Sequence, residues 1–261
     1  MNQPLAYIHP EAKIAENVVV EPFSSIHKDV EIGDGTWIGS NVTIMEGARI
    51  GKNCRIFPGA VISAVPQDLK FGGEYSIVKI GNNTTVRECV TINRGTNYSG
   101  ETVVGNNCLL MAYVHVAHDC IIKDNCVIVN NVALAGHVTV GEHAIIGGLS
   151  AVHQFVNIGC HVMVGGGSLV RKDVPPYVKA SKEPLSFVGI NSIGLRRRGF
   201  DPKTIAEIQD IYRILFQKGI PTNRAVELIE AELPASVERD KIIYFVRNAK
   251  RGIMKGYTSN Q

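Results

Sequence analysis

Aliphatic residues recur every six positions along most of the chain. Stepping from Ile8 gives Ile14, Val20, Ile26, Ile32, Ile38, Ile44, Ile50, Ile56 and Ile62. The series resumes at Ile80, Val86 and Ile92. It resumes again at Val104 and continues through Leu110, Val116, Ile122, Ile128, Leu134, Val140, Ile146, Val152, Ile158, Val164 and Val170. Four places after each aliphatic sits a small or β-branched residue, as at Ala12, Ser24, Thr36, Val42, Ala48, Val132, Ala144 and Ser168. A helix needs apolar residues every three to four positions, and this pattern does not supply them. A short strand followed by a corner fits. Slots one and five, an even number of residues apart, both point inward, the first large and the second small. Slot four mostly carries Gly, Asn or Asp, which tolerate the left-handed backbone of a tight corner.

Three hexads close a triangular coil of about 18 residues, and neighbouring coils stack at roughly 4.8 Å with like slots in register. About nine coils give a prism roughly 40–45 Å long. No coil can bury its apolar face alone, so stability is shared between neighbours. The expected fold is mainly β, a parallel β-helix of hexapeptide repeats over residues 1–180, with an α-helical subdomain over 181–261.

Two interruptions break the series. Continuing by six from Ile62 lands on Asp68 and Glu74, and from Ile92 on Tyr98, none of them suited to a core. The phase returns unchanged at Ile80 and Val104. Loops are therefore expected near 63–79 and 96–103, and loops on a rigid scaffold are common places for binding residues. After Val174 the pattern stops at Pro175 and Pro176. Asp201 and Pro202 read as an N-cap and first helical residue, followed by Ile205, Ile208, Ile211, Tyr212 and Leu215 at helical spacing up to Gly219. A second helix is expected from Thr222 to Leu233, and a third from about Ala235 to Lys250.

Composition changes this picture little. The 261 residues are 45% hydrophobic and 20% charged, with a net charge of +3, too small to point to nucleic acid. No stretch approaches the roughly 18 apolar residues of a membrane helix, so no stable membrane insertion is expected. Met1 to Pro10 lacks a basic start and an apolar run, so a cytoplasmic location is expected. Cys54, Cys108, Cys120 and Cys126 all fall on slot five, which marks them as buried thiols. No CxxC pair is present.

Six of the eight histidines lie between His115 and His161. His137, His143 and His161 occupy the corner slot, which favours a structural explanation. Zinc would require three converging ligands and an open fourth position, and the spacings leave that possibility open. His118, in His-Val-Ala-His-Asp-Cys (115–120), precedes a corner instead, and one coil later stands Gly136. Imidazole titrates near pH 6.5 unperturbed, which suits a general base. A glycine N–H beside it could receive an oxyanion. The pair suits acyl transfer to a hydroxyl.

The chain resembles the UDP-N-acetylglucosamine O-acyltransferases, the first acyltransferases of lipid A synthesis in Gram-negative bacteria. The matching segments are Gln-Asp-Leu-Lys (67–70), the stretch 115–120, Leu-Ala-Gly-His-Val (134–138), Ala-Val-His-Gln-Phe (151–155), His-Val-Met-Val-Gly-Gly (161–166), Asp-Val-Pro-Pro-Tyr (173–177) and Arg-Arg-Gly-Phe (197–200). They occur in order, span nearly the whole chain and partly lie outside the generic repeat. The resemblance implies a left-handed coil, although crossovers are normally right-handed. It implies a homotrimer with sites between subunits, acyl carrier protein as donor, UDP-N-acetylglucosamine as acceptor, and no metal or other cofactor. The group moved would be a (3R)-3-hydroxyacyl chain, passed to the sugar 3-hydroxyl.

By the same resemblance His118 is the general base and the Gly136 N–H the oxyanion donor. Gln67, Asp68 and Lys70 contact substrate from the first loop, and His115, His137, His153 and Gln154 line the cleft. Asn191, Arg197 and Arg198 hold the nucleotide or phosphopantetheine. A solvated basic patch is the bland alternative for the arginines. Gly166 matches the position that measures the acyl chain, and its lack of a side chain implies a long one, about fourteen carbons or more. Ile193 stands where better-known members have Glu, and Asn93 where some have His. The alternatives are the related N-acyltransferase, whose extra N-terminal uridine-binding domain has no room before Ile8, an acetyl-CoA-dependent transferase, or a carbonic-anhydrase-type metal protein.

Overall fold

In the computed structural model, residues 5–256 are described, so the expectations for 1–4 and 257–261 lie outside them. The hexads form a left-handed parallel β-helix with three flat faces. Among the described residues the first face, starting at Tyr7–Ile8, has 9 strands, and the second, starting at Lys13–Ile14, has 8. The third starts at Val19–Val20 and has 11, its last three coming from the C-terminal part. Like slots pair in register, as in Ile26↔Ile44, Ile44↔Ile62 and Val116↔Leu134. The slot-one aliphatics from Ile26 to Val170 form one buried column.

Most corners turn on a residue with positive φ. Asparagines take many of them, including Asn41, Asn53, Asn83, Asn107, Asn125 and Asn131. His137, His143 and His161 do so at φ 63, 59 and 56, as their slot predicted. The slot-five cysteines Cys54, Cys108, Cys120 and Cys126 are buried free thiols. Burial pushes Cys120 up to about 12, which makes it a poor nucleophile.

Both interruptions leave the coil at the edge between the first and second faces. The first runs over residues 65–76, between strands Val61–Ala64 and Ile77–Ile80. The second runs over 94–100, between Thr91–Asn93 and Glu101–Val104. The first is shorter than the expected 63–79. The second begins two residues before the expected 96–103 and ends three earlier. The coil returns early because inward alternation starts before the resumed hexad, burying Val78 ahead of Ile80 and Thr102 ahead of Val104, while Ser63 is buried at a register shift after Ile62. The partner of Ile62 is Ile92, 30 residues on, and that of Ile92 is Val116, 24 on. The excess over an 18-residue coil is therefore 12 and 6, whole hexads, which explains the unbroken phase.

Beyond Val174 an antiparallel hairpin, Val178–Ser181 with Ser186–Ile190, extends the third face. It runs through residues 180 and 181, where the repeat domain was expected to end. Four helices follow among the described residues: α1 (Ser192–Arg197), α2 (Pro202–Gln217), α3 (Thr222–Glu232) and α4 (Val237–Arg247). Asp201 caps α2 by accepting from the N–H groups of Lys203 and Thr204, and Ile205, Ile208, Ile211, Tyr212 and Leu215 form its buried stripe. Tyr212 and Phe216 stack with Phe187 of the hairpin, which fixes the helices to the end of the coil. Helix α4 is shorter than expected at both ends, capped by Ser236 at its start and by Asn248 at its end. Helix α1 and the hairpin had no periodic signature in the sequence.

Candidate active site

The edge between the first and second faces carries His118, Gly136 and Gln154 in one column, each two residues after a buried aliphatic. The His118 ring lies directly against Gly136. A Cβ built there would sit 2.6 Å from its Cε1 and 2.7 Å from its Nε2. The ring's Nδ1 is 2.7 Å from Asp119 Oδ2. A carboxylate at that distance selects the tautomer with the proton on Nδ1, leaving Nε2 as the acceptor. The His118 side chain is 13% exposed and that of Asp119 is fully buried.

Asp119 is the functional residue that sequence reasoning missed. Its corner position, at φ 59, accounts for an aspartate by turn chemistry alone. The available signal was its place next to His118. Its carboxylate also accepts from the N–H and hydroxyl groups of Thr96 and of Ser99. Burial raises its pKa, but the hydrogen bonds from Ser99, His118 and Thr96 outweigh that and hold the carboxyl below its usual range. Asp119 is thus ionised at neutral pH and able to stabilise an imidazolium.

The Gly136 N–H makes no hydrogen bond among the described residues. The corner geometry explains this, because the coil ladder leaves the third-slot N–H without a backbone partner. Elsewhere the next coil supplies a side chain: Asn82 Oδ1 accepts from Lys52, Asn106 Oδ1 from Asn82, and Asp124 Oδ1 from Asn106. Above Gly136 the matching residue is Gln154, which is exposed and does not fill that role.

His137 faces the same corner. Its ring meets His118 edge-on at 4.9 Å, stacks on Phe155 at 4.2 Å and is covered by Tyr98 at 4.4 Å. Burial lowers its pKa, against the opposing Asp119 charge. His115 lies on the first face, with Nδ1 2.8 Å from Thr91 Oγ1, and burial followed by the nearby His118 lowers its pKa. Asp68 shapes the first loop by accepting from the Lys70 N–H, and its charge reaches His137. Gln67 and Lys70 are exposed in that loop. His153 is exposed one coil beyond Ala135, its Nδ1 3.1 Å from Gln154 O. Asn93 is buried and donates to Val65 O, at the root of the first loop.

The remaining residues lie on other edges. Asn191 caps α1 and donates to His161 O, and Arg198 donates to His143 O, both at the edge between the second and third faces. Arg197 and Ile193 are exposed on α1. Gly166 is on the edge between the third and first faces, where a Cβ would sit 3.2 Å from Gly148 O. One chain does not bring these groups to His118.

The ligand atoms of His118, Asp119 and His137 lie within 4.8 Å of one another, a spacing that a metal ion could use. Both Asp119 oxygens, however, already accept from His118, Thr96 and Ser99. The donor set therefore fits an oriented imidazole better than a cation. A groove of about 890 Å³ runs along the second face from Asp119, His137 and Phe155 toward Cys160, Lys241 and Tyr244.

Comparison with known proteins identifies the family of this fold. Residues 173–254 match the model of the second domain of the UDP-N-acetylglucosamine O-acyltransferases. Residues 29–64 and 101–136 match the bacterial transferase hexapeptide model. The chain is 56% identical over 251 residues to the acyl-[acyl-carrier-protein]–UDP-N-acetylglucosamine O-acyltransferase of Sulfurihydrogenibium sp. (strain YO3AOP1), covering 96% of this chain and 93% of that one. It is 60% identical over 197 residues to that of Aquifex aeolicus (strain VF5), covering 75% and 76%. The structure is similar to that of a UDP-N-acetylglucosamine acyltransferase from Bacteroides fragilis 9343, with TM-score 0.96, 51% identity, and 98% and 100% of the two chains covered. The Arabidopsis UDP-N-acetylglucosamine acyltransferase is similar at TM-score 0.86 and 33% identity, covering 98% and 100%.

Proposed function

The chain belongs to the UDP-N-acetylglucosamine O-acyltransferase family, and from that premise we propose how its own residues carry the reaction. The enzyme transfers an acyl group from acyl carrier protein to UDP-N-acetylglucosamine, the first step of lipid A biosynthesis. His118 Nε2 takes the proton of the sugar 3-hydroxyl as that oxygen attacks the thioester carbonyl of the (3R)-3-hydroxyacyl donor. Asp119 holds the Nδ1 proton and stabilises the imidazolium. The oxyanion accepts from the Gly136 N–H. Collapse breaks the carbon–sulfur bond, and the imidazolium returns its proton to the departing thiolate. The route needs no covalent acyl-enzyme, no metal and no other cofactor.

The observation that carries this reading is that the His118 ring occupies the space where a Gly136 Cβ would sit while its Nδ1 is tied to Asp119. In this reading the pair supplies a base and an N–H donor unpaired among the described residues, the two groups that a tetrahedral intermediate requires.

We further infer a homotrimer. The substrate-binding set is divided between edges of one prism, so a neighbouring copy must complete it. The outer surface of the first face suits close packing, with Ala133, Ala151 and Leu169 exposed. In this reading Asn191, Arg197 and Arg198 serve the site through that assembly, and Gly166 limits the acyl chain. No helix among the described residues is long and apolar enough to cross a membrane. We infer a cytoplasmic location from its use of acyl carrier protein and a nucleotide sugar.

The test is a transfer assay with acyl carrier protein donors of several chain lengths and UDP-N-acetylglucosamine as acceptor. His118→Ala should lower the rate by about 10²–10⁴ with the fold intact, the usual size of a positioned base. Near-normal turnover in that variant rules out the role.

A further inference from the structure

Asp119 is held by more than its neighbour. Its Oδ1 accepts from the N–H groups of Thr96 at 3.1 Å and Ser99 at 3.2 Å, and from the Ser99 hydroxyl. Its Oδ2 accepts from the Thr96 hydroxyl at 2.7 Å, beside His118 Nδ1. Four donors from one loop thus converge on the carboxylate that orients the base. The loop is itself fixed: the Gly100 N–H closes it on Thr96 O at 2.7 Å. At its tip the Asn97 N–H donates to Glu74 Oε1 at 3.0 Å, while Glu74 Oε2 accepts from the Gly72 N–H at 2.8 Å. Glu74 therefore bridges the two loops, 65–76 and 94–100.

A corner aspartate does not by itself require such a network. Asp29 occupies the same edge at φ 52, and it pairs with Arg49 at 2.6 Å. The chemistry of the two sites differs accordingly. An arginine would neutralise the carboxylate beside the base. Neutral hydroxyl and amide donors fix its position and leave its charge to act on His118.

We propose that the loop 94–100 is a clamp in which Thr96 and Ser99 are positioning residues for the Asp119–His118 pair, tied by Glu74 to the loop that carries Asp68 and Lys70. The proposal rests on the reading of His118 as the base. Loss of either hydroxyl leaves Asp119 with fewer donors, so it draws the imidazolium proton more strongly and the acid limb of the rate profile moves to higher pH. Loss of the Glu74 carboxylate frees the tip of the clamp and the substrate loop together.

The experiment measures kcat and KM for UDP-N-acetylglucosamine across the pH–rate profile, using the intact enzyme and 3-hydroxyacyl carrier protein. Thr96→Val and Ser99→Ala should each lower kcat by about tenfold, with KM changed less than about twofold and the acid limb displaced upward. Thr96→Ser and Ser99→Thr, which keep the hydroxyl, should retain most of kcat and the original limb. Glu74→Gln should alter kcat and KM together and combine non-additively with Ser99→Ala. Wild-type kcat in Thr96→Val and Ser99→Ala overturns the clamp. A uniform rate loss with an unmoved limb also overturns it, since that is what a merely structural loop would give. His118→Ala is assayed in parallel. If it stays active the base reading fails, and the clamp with it; if it is inactive while the hydroxyl variants are normal, only the clamp fails.

Discussion

Replacing Gly136 with alanine would put a methyl group into the space that the base occupies. The backbone there does not have positive φ, so alanine meets no torsional penalty, and the effect is confined to the His118 ring. The new Cβ would lie 2.6 Å from Cε1, against an ordinary contact of 3.4 Å, so the ring must retreat by about 0.8 Å (3.4 − 2.6). A retreat directed away from Asp119 would stretch the 2.7 Å hydrogen bond to about 3.5 Å, the limit of a useful one. Misplacement of a reacting group by about 1 Å costs about 10²-fold in rate, so kcat should fall by about that factor. Stability should fall by only about 1–2 kcal/mol, one weakened charged hydrogen bond less the entropy gained by replacing glycine. The assay is steady-state acyl transfer, paired with a thermal melt. His118→Ala serves as the background control: without the ring, the added methyl group has nothing to displace and should cost little more. A Gly136→Ala enzyme with kcat within about twofold of the wild type would refute the steric argument.

Other expectations concern groups around this pair. Asp119→Asn places an amide among donors that need an acceptor, so kcat should fall by about 10² or more and the melting temperature should drop; an unchanged melt would contradict the hydrogen-bond network described. Gly166→Met fills the space above Gly148 O, 3.2 Å from the added Cβ, and should shift donor preference toward shorter chains, read from relative kcat/KM across a donor series. His161 has its pKa lowered to about 4 by burial and by the charges of His143, Arg198 and Lys241. Between about 4 and 6.5 the unfolded chain therefore binds more protons than the folded one. Stability is full above about pH 6.5 and declines as pH falls through 4, by at most about 3 kcal/mol per chain. Equilibrium unfolding against pH should show His161→Gln to be less acid-sensitive than the parent.

The coil was legible in the sequence because its forces are local and repeated. A β-branched or leucine side chain every sixth position and a left-handed corner between them leave one way to bury the column, from Val20 through Val170. The same six-residue ruler put Gly136 one coil from His118 and assigned the slot-five cysteines to the core. The hairpin Val178–Ser181/Ser186–Ile190 and the short helix α1 were not legible, since they depend on packing against the end of the coil rather than on any period of their own.

The sequence by itself thus determined the prism, the loops as whole-hexad insertions and the stacking of Gly136 one coil from His118, all consequences of a fixed step along one axis. Only the tertiary structure decided which edge each group occupies and what surrounds it. It put both loops on the edge of His118, gathered Thr96, Ser99 and His118 around Asp119, and set Gly166 and Arg198 on the other two edges. The physical reason is that a period predicts neighbours along the stack, whereas a loop's hydrogen bonds depend on where its path crosses the coils.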